Sequence, residues 1–380
     1  MIDTMVTNRQ SERESLPNAL SLTDELEYVQ LLILRQVQVF RKVTNLSPEF
    51  LSGGMAITDY QVNRLLNDLI LPNETTQKQD GTELDTKIQQ TKEHLSAKRL
   101  INAQKLTLSR LENIVSKFQL NEVEELVLML AVATGLDERY GTLVSFLQDD
   151  ATKRLPCLSL AFALLQTSSI EAWTDNSTDR IIRSLLEGRI VTFATLNNTD
   201  RPLVERELKI DDGVLAYITG RDGIDQKISE IATFYKHTTL TPNFVGEPDV
   251  KQAIEQIENL LEQACEVGFP VAIQIVGPEG VGKKTAARNL ASRSESPLLV
   301  VDVDQLIGSA DLESKLCCIR RETFINGALV FWDKAEILIG DSTALRRERE
   351  AIVAFIVNSE FPMLVGTTQR WEPYNRESDF

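Results

Sequence analysis

Residues 277–285 read GPEGVGKKT. Gly277, Gly280 and Gly282 suit a loop that wraps its backbone N–H groups around an anion, because glycine reaches left-handed backbone angles freely and lets the main chain approach closely. Lys283 then supplies a compact cation for the β and γ phosphates of a nucleoside triphosphate. The run VAIQIV (271–276) precedes the loop and the helical AARNLASR follows it, the strand–loop–helix context such a motif requires. The binding set expected here is Gly277, Pro278, Glu279, Gly280, Val281, Gly282, Lys283, Lys284 and Thr285, with ATP as the cofactor. The competing reading is a glycine-rich turn that only joins strand to helix.

Two positions depart from what hydrolysis needs. The residue after the loop lysine ordinarily offers a hydroxyl to Mg²⁺, and here it is Lys284. Thr285 comes one place late, and one residue rotates a helical side chain by about 100°, so it can hold metal only if the loop is re-registered. ALVFWD (328–333) ends in Asp333, which suits a strand-end acid holding Mg²⁺ through water, or an ordinary polar strand end. Thr285 and Asp333 are the expected metal residues, with Mg²⁺ as the second cofactor. The next position, where a glutamate would polarise the attacking water, holds Lys334, and Glu336 fills that role only after local rearrangement. FPMLVGTTQ (361–369) ends in hydroxyl and amide residues. Gln369, or Thr368 beside it, can orient water near a γ phosphate, which makes Gln369 the candidate catalytic residue, against the plain start of a loop. Arg346, Arg347 and Arg349 stand among glutamates and read as a solvated, self-paired helix face.

These residues need a parallel sheet behind them. PLLVVDV (297–303), 328–333 and 361–369 read as buried strands and Asp311–Phe324 and Leu345–Val357 as helices, an α/β domain over 250–380 with a linker at 238–249. Upstream, apolar residues recur at steps of three and four over 20–41, and over 84–118 as one long helix or two. This gives a helical N-terminal region at 21–118 behind a loose, polar terminus at 1–20. Asn121 caps a helical run to Thr134, and further helical patterns lie at 136–147 and 158–165, with Asp179 as a cap for IIRSLLEG. IVTFATL, NNTDRP and VERELKI then read as a hairpin, followed by a helix over 211–218. Helices followed by a small hairpin predict a winged-helix-like domain over 119–237.

Composition narrows the function. A net charge of −16 disfavours nucleic acid, and residues 117–240 hold 13 lysines and arginines against 19 aspartates and glutamates, the wrong sign for a duplex reader. Protein docking or a structural role is the expected use of that domain. No run reaches the roughly 18 apolar residues of a membrane span, and the polar N-terminus lacks the apolar stretch of a secretion signal, so the expectation is a cytoplasmic protein. Cys157, Cys265, Cys317 and Cys318 lack CxxC spacing, and the histidines are His94 and His237. Structural zinc and a disulfide framework are unsupported.

The strand–loop–helix at 271–293, the ALVFWD strand and the PMLVGTTQ strand together resemble an AAA-type ATPase over roughly 240–375. The block from Phe118 to Leu165 resembles the winged-helix domain of the AAA ATPases encoded with bacterial extracellular contractile injection systems. The resemblance implies a mixed fold, with helical and winged-helix parts followed by a P-loop NTPase sheet that is C-terminally incomplete, without the fifth strand, the helical lid and its sensor arginine. It also implies a homo-oligomer or a partnership with injection-system components, and assembly or recycling of a phage-tail-like particle. Three functions remain open: an ATP-binding assembly factor with weak or absent hydrolysis, a working ATPase completed by a neighbouring subunit, and a protein-binding adaptor with a scaffold AAA portion.

Overall fold

The computed structural model describes residues 22–42, 57–69, 81–105, 107–166, 182–194, 201–236, 248–267, 271–339 and 345–370. The terminus 1–20, the linker up to residue 247 and the Asp179 cap lie outside these. The chain divides into two compact units, residues 1–222 and 223–380.

The first unit is helical: α1 (22–42), α2 (Asp59–Leu69), α3 (Gly81–Gln104), α4 (Arg110–Lys117), α5 (Glu122–Leu136), α6 (Glu138–Leu147) and α7 (Leu158–Leu164). The pattern over 84–118 resolves into two helices because Ser109 starts a new one. Its hydroxyl accepts from Glu112 N at 3.2 Å while the Glu112 carboxylate accepts from Ser109 N at 2.6 Å, a reciprocal capping box. Asn121 and Glu124 cap α5 in the same way. α5 is apolar all round, with every residue from Leu126 to Ala133 buried, and forms the centre of this unit. Helix α2 had no counterpart in the sequence reading.

The hairpin is smaller than predicted. β1 (Val191–Phe193) pairs antiparallel with β2 (Leu208–Ile210). Residues 203–205 form a 3₁₀ turn after Pro202, which takes in Val204 and Glu205, the expected start of the second strand. Helix α8 (Asp212–Ile218) follows, with the Asp211 carboxylate accepting from Gly213 N at 2.9 Å.

The second unit is a five-stranded sheet in the order β3 (Ala232–Tyr235), β5 (Leu298–Asp302), β6 (Leu329–Asp333), β7 (Met363–Thr367), β4 (Ala272–Val276). The last four are parallel, and β3 is antiparallel to β5. Residues 232–235, expected within the winged-helix-like domain, pair here with Leu298–Val301; a four-residue strand has too little periodicity to declare its sheet. Pro248 and Asp249, assigned to the linker, open helix α9 (Pro248–Val267).

Both sheet faces are covered. Leu298, Val300, Leu329, Phe331 and Leu364 pack with α9 and α10 (Lys283–Arg293) on one side. Leu299, Val301, Val330, Trp332, Met363 and Val365 pack on the other with α11 (Leu312–Asn326) and α12 (Arg346–Val357). The alternation within each apolar run is that of strands buried on both faces. Arg349 on α12 is buried, which departs from the solvated face expected there, whereas Arg346 pairs with Glu350 one turn along. On α11, Cys318 is buried, its thiol 3.8 Å from Asp225 Oδ2, and Cys317 is partly buried.

Candidate functional site

The loop runs from the end of β4 directly into α10. Gly280 and Gly282 take φ of 80° and 96°, angles that cost an L side chain strain, and Gly282 caps the helix. A Cβ at Gly277 would stand 2.8 Å from Cγ1 of the exposed Val281, which would have to turn aside. The first helical bond runs from Ala286 N to Gly282 O, leaving the N–H groups of Lys283, Lys284 and Thr285 at the open, electropositive helix end. The Lys283 ammonium folds back over the loop and donates to Gly277 O at 2.7 Å and Pro278 O at 3.2 Å. Pro278, Glu279 and Val281 are exposed along the loop. The left-handed glycines, the open helix end and the loop lysine are residue types that fit a phosphate chain.

The strand order brings the remaining candidates alongside. β7 lies between β4 and β6, and Gly277 N donates to Thr367 O at 3.0 Å. Thr367 is fully buried, and its hydroxyl accepts from Gln274 Nε2 at 2.7 Å. The same amide reaches the Gln369 carbonyl at 3.3 Å, so the backbone after β7 is tied to the loop strand. Thr368 and Gln369 are exposed just past the strand end. Gln274 was passed over in the sequence reading, although a lone amide inside the apolar VAIQIV run was the available signal.

The two intruding lysines both face acids at strand ends. Asp302 and Asp333 are register partners across β5 and β6. Lys284 Nζ stands 3.0 Å from Asp333 Oδ2, and Lys334 Nζ stands 2.7 Å from Asp302 Oδ2. The hydrogen bond that Lys334 donates to Asp302, aided by the negative charges of Asp302, Asp304 and Asp333, holds the Lys334 ammonium above the usual lysine range. Lys334 also sits at φ 57°, a left-handed position uncommon for lysine. Asp302 additionally caps the one-turn helix Val303–Leu306 by accepting from Gln305 N at 3.2 Å.

Thr285 is exposed on the first turn of α10, past the lysine that meets Asp333. An Mg²⁺ ion requires oxygen ligands in near-octahedral array, and the position beside Asp333 is taken by an ammonium group. Among the described residues no group of three or more His, Cys, Asp or Glu side chains is placed to hold a metal. The Lys284 ammonium beside Asp333 does not suit a conventionally held Mg²⁺. Glu336 sits on the 3₁₀ turn after Lys334, with Oε2 buried and without a hydrogen-bond partner.

By fold, the second unit is a parallel α/β sheet with a glycine loop between its edge strand and the next helix. The chain belongs to the variant winged helix domain family, whose model matches residues 22–234, more than half of the chain. That stretch takes in the N-terminal helices as well as the hairpin and ends within β3. No curated protein matches the chain in sequence. Solved structures similar to it include the AAA domain of FIGL-1 in complex with ADP, at 18% identity and a TM-score of 0.32, covering 41% of this chain and 58% of that one. The chain thus spans somewhat over half of that neighbour's length. Among the described residues no helix is long and apolar enough to cross a membrane.

Proposed function

We propose that the second unit is an AAA-type nucleotide-binding module that takes ATP at Gly277–Thr285, and that the protein acts as an assembly or remodelling factor with weak or absent hydrolysis. The observation that carries the reading is the loop itself: two left-handed glycines, three N–H groups at the start of α10 and the Lys283 ammonium converge where a phosphate chain would lie. The position of β7, with its polar end between the loop strand and the Asp333 strand, supports it. Weak hydrolysis follows from Lys284 and Lys334 standing where a metal-binding hydroxyl and a water-polarising carboxylate are needed. The acidic winged-helix family domain favours a protein partner over nucleic acid, with assembly as a homo-oligomer. A link to a contractile injection particle rests on the resemblance of the Phe118–Leu165 block.

Lys283→Ala tests the site. Calorimetric titration should show ATP affinity reduced at least about tenfold, a loss of roughly 1.4 kcal/mol, with the circular-dichroism spectrum unchanged. Equal affinity in the two proteins would show that the loop is only a turn.

A further inference from the structure

We propose that Lys284 and Lys334 replace the divalent cation of this site, so that it takes a nucleoside triphosphate free of Mg²⁺. The inference rests on the nucleotide reading above and adds which form of the nucleotide is bound. In a metal-dependent site, a divalent ion sits between the strand-end acid and the phosphate oxygens and neutralises them. Here the ammonium of Lys284 stands 3.0 Å from Asp333, on the helix turn that opens toward the phosphates. It comes from the position where the metal-binding hydroxyl would be. The ammonium of Lys334 is 2.7 Å from Asp302, the register partner of Asp333 on the next strand.

Two single positive charges at adjacent strand ends supply what one divalent ion would bring. They are covalently fixed and need no dehydration of a strongly hydrated metal. Neither pair is deeply buried, and ion pairs this exposed are weak. The lysines are therefore held loosely enough to turn from carboxylate to phosphate when an anion arrives. An Mg²⁺ ion entering with the nucleotide would meet two ammonium groups where it needs oxygen ligands.

The test is a calorimetric titration of the full chain with ATP, once in EDTA and once in excess Mg²⁺. The expected result is binding in EDTA at least as tight as in Mg²⁺. Lys284→Thr, which restores the hydroxyl, should weaken binding in EDTA about tenfold and recover it on adding Mg²⁺. Lys284→Gln, which removes the charge without offering that ligand, should weaken binding in both buffers. Wild-type binding that is tenfold or more tighter with Mg²⁺ overturns the inference while leaving the nucleotide site intact, whatever the variants do. ATP binding in neither buffer overturns the nucleotide site itself, and this inference with it.

Discussion

Lys284, Lys334 and Glu25 show how far a residue's surroundings decide its role. The two lysines meet strand-end carboxylates in half-exposed ion pairs, and a protonated amine is neither a metal ligand nor a base. Glu25 on α1 is a contrasting case, 2% exposed and sharing the Arg99 guanidinium with Glu125. Burial, only partly offset by Arg99, pushes its carboxyl up to about 7. A folded pKa above the unfolded one means that this group's contribution to stability is full below the unfolded value and is lost as pH rises through about 7. Between about pH 5 and about pH 8, hydrogen-exchange protection of α1 in the wild type should therefore fall relative to Glu25→Gln measured at the same pH. Profiles that stay parallel would contradict the assignment. The glycine loop with Lys283, and Asp333 as a strand-end acid, were legible in the sequence from the apolar runs and the helical pattern around them. The Lys284–Asp333 and Lys334–Asp302 pairs were not, since which acid a lysine meets depends on strand register across the sheet.

At the scale of elements, period and caps carried most of the information. The buried runs 298–302, 329–333 and 363–367 were readable as strands, and the caps at Ser109 and Asn121 fix where helices begin. The short pieces were not readable: β3 has four residues and the 3₁₀ turn at 203–205 has three, too few to show a period. α2 was missed although Val62, Leu65, Leu66 and Leu69 recur at helical steps within it. The tightest constraint between elements is Gly366 on β7, where an added Cβ would stand 2.7 Å from Phe331 Cζ on β6. Phe331 is fully buried and cannot withdraw without disturbing the layer under α10. Gly366→Ala should thus destabilise the chain by about 1–3 kcal/mol, the usual cost of overpacking, as read from the urea midpoint. An unchanged midpoint would mean that the strands yield more easily than their packing suggests.

For the whole molecule, a change in character near residue 240 was legible, because linker residues and the strand–loop–helix run stand out in composition. That the edge strand of the second unit comes from residues 232–235 was not, since sheet membership is a long-range property. The family assignment of residues 22–234 places the winged helix domain and the N-terminal helices in one stretch, which local periodicity had divided. On the proposed reading, nucleotide at the glycine loop serves as an ordering ligand rather than as fuel. The direct test is to incubate the wild-type chain with radiolabelled ATP and count bound and hydrolysed nucleotide in the same sample. The account predicts saturable binding with phosphate release near background. Turnover of about one per second or faster, within the ordinary enzyme range, and abolished by Asp333→Ala, would contradict it.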